Sequence, residues 1–182
     1  MLNNCSAILL AGGQSSRMGQ DKGLMTFQGR PMIKHIIDTV SAVTDQIIII
    51  TGNEEYKQFG YPIYPDLLAN KGPLVGIITG LSVSESDKNW VISCDSPYVT
   101  QELLYQLMEE LEGFDAVVPN HKGKVHPLIA TYQKSALNHL KEQLALDNLK
   151  LMVANAALNV NYYNADDFDA ENFKNINTKE DL

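Results

Sequence analysis

Four short segments, each beside an apolar run, carry the residue types that phosphate and metal chemistry needs. The first runs from Leu10 through Ala11, Gly12, Gly13, Gln14, Ser15, Ser16, Arg17, Met18, Gly19, Gln20 and Asp21 to Lys22. Glycines let backbone N–H groups approach an anion closely, while Arg17 and Lys22 supply positive charge. Neither the Gly-x4-Gly-Lys-[Ser/Thr] nor the Gly-x-Gly-x-x-Gly spacing occurs there, which sets aside a Walker A loop and a dinucleotide fingerprint. Taken alone, the segment also reads as a solvated glycine loop. The second segment, Tyr64-Pro65-Asp66, leads to Lys71-Gly72-Pro73-Leu74-Val75-Gly76. Asp66 there reads as a ligand for a ribose hydroxyl or a base, or as a turn aspartate bonding its own backbone. The third, Val91-Ile92-Ser93-Cys94-Asp95-Ser96-Pro97, puts a carboxylate straight after an apolar run. Asp95 offers the hard oxygen that Mg²⁺ prefers, against an ordinary capping role. The fourth, from His121 to His126, holds Lys122 and Lys124 and is open to a second anionic substrate or, more simply, consists of surface histidines.

These segments need a scaffold that gathers them, and the hydrophobic periodicity supplies one. Ser6 to Leu10 is a continuous apolar run entering Gly12-Gly13, the pattern of a buried strand followed by a tight turn. Met32, Ile33, Ile36, Ile37, Val40 and Val43 recur at helical spacing after Pro31, and four isoleucines from Ile47 to Ile50 favour strand. The pattern predicts a short strand at Ile63-Tyr64, a helix from Pro73 to Val83 and a strand from Trp90 to Cys94. It then predicts a helix capped by Thr100 and stopped by Gly113, and a strand at Ala116 to Val118. Further strands at Leu128 to Tyr132 and Val160 to Tyr163 enclose a helix from Ser135 to about Leu146 and a second short helix. Strands alternating with helices imply crossover units, so the expected fold is α/β, three-layer and Rossmann-like, with a mostly parallel sheet. Ligands of such sheets sit beyond the carboxyl ends of the strands, where the candidate segments fall.

Length and composition bound the rest. The 182 residues predict a single domain over 1–182, and 45% hydrophobic with 20% charged residues is ordinary globular composition. Fourteen basic against 22 acidic residues give a net charge of −8, which disfavours nucleic acid and anionic membranes. Any phosphate must therefore be met by local chemistry. Cys5 and Cys94 make no disulfide framework, a usage that fits a cytoplasmic setting. No apolar run approaches the roughly 20 residues a membrane span needs.

Taken in order, the motifs resemble the molybdenum cofactor guanylyltransferases, nucleotidyltransferases of glycosyltransferase-A-like fold. The resemblance rests on Leu10-Ala-Gly-Gly-x-Ser-x-Arg-Met-Gly-x-Asp-Lys22, Gly29-x-Pro31-Met32, Pro65-Asp66, Gly72-Pro73-Leu74-x-Gly76-Ile77, Cys94-Asp95-x-Pro97 and His126-Pro127-Leu128. It extends to Phe173-x-Asn175-Ile176-Asn177-Thr178-x-Glu180-Asp181-Leu182, and so spans essentially the whole chain. It implies that Leu10, Ala11, Gly12 and Gly13 hold GTP, with Lys22 at its phosphates, Asp66 near the guanosine and Asp95 on Mg²⁺. Arg17, Lys22 and Asp95 would then be catalytic, and Asn53 a further nucleotide contact whose simpler reading is a cap for Glu54-Glu55. The implied reaction joins GMP to molybdopterin, with or without its metal, and releases pyrophosphate. The implied partners are acceptor molybdoenzymes or other cofactor-biosynthesis proteins. The resemblance also puts Gly72 to Gly76 and Asn175 to Asn177 on the pterin side of the cleft. Three alternatives stay open: cytidylyl transfer to the same pterin, nucleotidyl transfer to a sugar phosphate, and a non-catalytic nucleotide sensor or cofactor carrier.

Overall fold

A computed structural model of the chain describes residues 4–12, 21–68, 71–178 and 181. Its strands are β1 (Cys5–Leu10), β2 (Thr26–Phe27), β3 (Arg30–Pro31), β4 (Gln46–Ile50), β5 (Ile63–Tyr64), β6 (Lys88–Ser93), β7 (Ala116–His121), β8 (Lys124–Val125), β9 (Ile129–Gln133) and β10 (Val160–Asn164). Five α-helices lie among them: α1 (Met32–Ser41), α2 (Pro73–Val83), α3 (Gln101–Glu109), α4 (Ala136–Ala145) and α5 (Leu151–Asn155). Eight strands form one sheet in the order β10-β7-β9-β6-β1-β4-β5, with β8 added to β7, and β2 pairs with β3 as a separate ribbon.

The α/β reading holds, and alternation along the strands makes three layers. From β1, Ala7, Leu9 and Ala11 face a core shared with Ile33, Ile36, Ile37 and Val40 of α1 and Leu103, Leu104 and Leu107 of α3. Ile8 and Leu10 point the other way, into a second core with Leu74, Ile77, Ile78 and Leu81 of α2 and Leu140 of α4. Both faces of the central strand are thus dry, which is why it reads as an unbroken apolar run. Gly80 is where α2 comes closest to β1, since a β-carbon there would stand 2.3 Å from Ile8 Cγ2.

One expected boundary needs correction, and one strand runs against the prevailing parallel direction. The α3 helix ends at Glu109 rather than running through Glu112, although Thr100 caps it by accepting from Leu103 N–H and Gly113 follows at φ 82°. The strand at β9 runs antiparallel to both β6 and β7. No crossover helix separates it from β7; the chain turns at Lys122 (φ 49°) and Gly123 (φ 81°), a two-residue hairpin, and short connections of this sort give antiparallel pairing.

Strand β1 pairs in parallel with β4 on one side and β6 on the other. The chain therefore leaves the sheet centre in opposite directions, and the carboxyl ends of β1 and β6 flank the topological switch point.

Candidate functional site

Leu10 ends β1 and Ser93 ends β6, and the two exits stay joined because Cys94 N–H donates to Leu10 C=O at 3.0 Å. Ala11 N–H donates to Ile50 C=O on the other side, also at 3.0 Å. Gly12 follows, and a β-carbon there would lie 3.1 Å from Asp66 Oδ2. Gly13 and Arg17, which the sequence proposes for phosphate binding, lie outside the described residues.

The chain re-enters the site at Asp21. Lys22–Leu24 form a 3₁₀ turn, with Asp21 capping it by accepting from Gly23 N–H. Lys22 Nζ reaches Asp95 Oδ2 at 3.4 Å and donates to Asn177 Oδ1 at 3.0 Å. Proposed cation and proposed carboxylate thus meet at the switch point, 73 residues apart in sequence. The other oxygen of Asp95, Oδ1, is buried with no hydrogen-bond partner among the described residues. A carboxylate oxygen without a donor is costly in a fold that binds nothing, and it is a natural seat for a hard cation.

Asp66 closes the opposite side. It is held where Tyr64 C=O accepts from Thr51 N–H at 2.8 Å and Leu67 N–H donates to Thr79 Oγ1 at 3.1 Å. Its Oδ1 is likewise buried and without a partner among the described residues, and burial pushes its pKa above the usual carboxylate value. Gly76 faces it, with its β-carbon position 3.5 Å from Asp66 Oδ1 and 3.1 Å from Leu10 Cδ2. Gly76, inside α2, therefore sits with Leu10, Gly12 and Asp66, because the close approach of α2 to β1 carries it there. Asn175 and Asn177 do lie beside Asp95: Ser96 Oγ donates to Asn175 Oδ1 at 3.3 Å, and Ile176 N–H donates to Asp95 C=O at 2.8 Å.

Asn53 has both ends of its amide engaged, Oδ1 accepting from Glu55 N–H at 3.0 Å and Nδ2 donating to Asp21 Oδ2 at 3.2 Å. The capping alternative is realised, with a second bond that sequence reasoning missed. Tyr56 Oη also donates to Asp21 Oδ1. No sequence pattern marks that contact; Gly23 admits it, since a β-carbon there would lie 2.3 Å from Tyr56 Oη. Cys94 is buried and its thiol pKa is raised by burial and by the nearby Asp95 and Asp21, which makes it a packing residue.

The histidine segment differs from the expectation of a solvated turn. His121 and His126 are buried and pack on Phe173, with ring centroids 4.9 and 4.8 Å away. Burial, Lys124 and His121 lower the His126 pKa to about 4, so at neutral pH it carries no charge for an anion. Among the described residues no cluster of three or more His, Cys, Asp or Glu side chains is placed to hold a metal, and no helix is long and apolar enough to cross a membrane.

A sheet whose strand order reverses at β1, with a lysine and a carboxylate paired where it does so, defines an α/β nucleotide-binding domain of the glycosyltransferase-A-like nucleotidyltransferase class. The family model described as the MobA-like NTP transferase domain matches residues 7–159, and the chain belongs to that family. A relative from Flavobacterium johnsoniae, a probable molybdenum cofactor guanylyltransferase, is 38% identical over all of this chain and 96% of its own length. One of the same name from Pelotomaculum thermopropionicum is 34% identical over 97% of this chain and 89% of its own. The crystal structure of molybdopterin-guanine dinucleotide biosynthesis protein A from Archaeoglobus fulgidus superposes with a TM-score of 0.81 at 28% identity, over 97% of this chain and 94% of that one. A nucleotidyl transferase from Methanothermobacter thermautotrophicus shares the fold, with a TM-score of 0.76 over 98% of this chain and 94% of its own at 18% identity.

Proposed function

We propose that this chain transfers GMP from GTP to molybdopterin, forming the guanine dinucleotide cofactor and releasing pyrophosphate. The observation that carries the nucleotidyl-transfer reading is the meeting of Lys22 and Asp95 at the switch point, beside an Asp66 whose buried oxygen lacks a donor. The choice of guanine and pterin rests on the full-length relationship to proteins named molybdenum cofactor guanylyltransferases.

A terminal phosphate oxygen of molybdopterin attacks the α-phosphorus of GTP, the new P–O bond forms, and the bond to pyrophosphate breaks. The attacking phosphate is already ionised, so no general base and no covalent enzyme intermediate are needed. The loop from Leu10 through Ala11 and Gly12 to Gly13 holds the nucleotide, and Asp66 accepts hydrogen bonds from guanosine. Lys22 and Arg17 neutralise charge that develops on the leaving pyrophosphate, the dominant requirement in phosphoryl chemistry. Asn53 serves from the border, through Asp21. Asp95 fits Mg²⁺, which typically takes one or two carboxylates together with substrate phosphates, and its Oδ1 has no competing donor among the described residues. When bound there, Mg²⁺ supplies Lewis-acid stabilisation of the phosphates. The reaction belongs in the cytoplasm, with its product passed to acceptor molybdoenzymes directly or through other cofactor-biosynthesis proteins.

The test is pyrophosphate release from GTP with molybdopterin and Mg²⁺, run in parallel with CTP and ATP. Release with GTP and pterin alone is the expected result. Release with CTP in its place moves the chain to cytidylyl transfer. Bound GTP with no release under any condition would make the protein a sensor or carrier.

A further inference from the structure

Lys22 follows an aspartate, so its ammonium has a rival partner one residue away, yet it extends to Asp95 and Asn177. The reason lies in what already occupies Asp21. Its Oδ1 accepts from Gly23 N–H at 3.1 Å and from the Tyr56 hydroxyl, and its Oδ2 accepts from Asn53 Nδ2 at 3.2 Å. Three donors from two chain segments close around one carboxylate, leaving it satisfied and fixed. Tyr56 is fully buried, and burial raises its pKa, so the hydroxyl stays a donor throughout the neutral range. Gly23 completes the arrangement, because its β-carbon position is 2.3 Å from Tyr56 Oη and 3.3 Å from Cys94 Cβ. Only a residue without a side chain lets the turn lie flat against Cys94, and that seating brings Lys22 alongside Asp95.

Resting on the reading that Lys22 meets the triphosphate, we infer that Asp21 and Tyr56 are positioning residues, a hydrogen-bonded clasp that aims Lys22 at the phosphates. Asn53 closes the clasp from the exit of β4, so Asp21 is tied to the segment after β4 without itself touching the reacting atoms.

The test separates aiming from mere structural support. Displacement of a fluorescent GTP analogue by GTP and by guanosine is measured for the parent protein and for Tyr56→Phe, Asp21→Asn and Lys22→Met, alongside thermal melting. Tyr56→Phe keeps the ring and removes one hydrogen bond to a charged group, so GTP should bind about tenfold more weakly. Guanosine has no phosphates and should change by less than about twofold. Lys22→Met should give the same pattern with a larger GTP effect. Unchanged GTP affinity in both clasp variants, or equal weakening of GTP and guanosine while Lys22→Met still discriminates, overturns the inference. Should Lys22→Met itself fail to discriminate, the reading of Lys22 falls, and the clasp with it. Asp21→Asn carries the test alone if Tyr56→Phe does not fold.

Discussion

Replacing Lys22 by Met keeps a long side chain and removes one charge from a pair that the structure uses in two ways. Toward GTP, the loss is one charge-assisted contact, worth ~1.5–3 kcal/mol, or roughly ten- to hundredfold in affinity. Toward the fold, Asp95 loses the partner of its Oδ2 while Oδ1 already has none among the described residues. The Nζ–Oδ2 separation is 3.4 Å, and the side chains are 22% and 14% exposed, so water shares the compensation. The stability loss should therefore be about 1–2 kcal/mol, below the 3–5 typical of breaking a fully buried pair. That corresponds to roughly 2–8 °C in melting temperature for a chain of this size. Adding Asp95→Asn to Lys22→Met removes the stranded charge, so the double variant should regain most of the melting temperature while binding GTP no better and turning over no faster. Melting curves, GTP titration and pyrophosphate release read all three quantities. GTP affinity within about twofold of the parent in Lys22→Met would refute the phosphate assignment. A double variant melting no higher than Lys22→Met would refute the electrostatic account of the pair.

Three further outcomes follow from the same geometry. Asp66 has its pKa raised by burial, so its charge opposes folding at neutral pH; Asp66→Asn should raise the melting temperature there while weakening GTP binding, and a fall in both would show a structural role instead. Gly80→Ala places a methyl 2.3 Å from Ile8 Cγ2 in a closed core, and the ~1–3 kcal/mol of overpacking should exceed the ~1 kcal/mol gained in helix propensity, which denaturant unfolding measures. His126, with its pKa lowered to about 4 against 6.5 in the unfolded chain, binds its proton more readily when unfolded; its contribution to stability is intact above pH 6.5 and is lost as pH falls toward 4. The linked change is on the order of 2–3 kcal/mol, and a His126→Asn variant whose stability falls just as steeply over that interval would remove His126 as the cause.

Much of this was legible in the residue order. Unbroken apolar runs marked the buried strands, helical spacing marked α1, and polar residues beyond strand ends marked Lys22, Asp66 and Asp95, because strand alternation and helix periodicity are local properties. The antiparallel β9 was less visible, since its direction depends on a two-residue hairpin at Lys122 and Gly123 whose positive φ angles no hydrophobic pattern records. The histidines read as surface groups because loop composition says nothing about Phe173, which arrives from about 50 residues downstream to cover them.

By itself the sequence determined the α/β class, the ordered motifs and the family they define. The tertiary structure decided which of those residues share a site. Lys22 finds Asp95 only because β1 and β6 are neighbours, Gly76 joins Asp66 only because α2 crosses close to β1, and Asp21 becomes a fixed anchor only where Tyr56 and Asn53 arrive from the end of β4. Those pairings are set by packing across long sequence separations, where each contact depends on the whole sheet order rather than on the residues that make it.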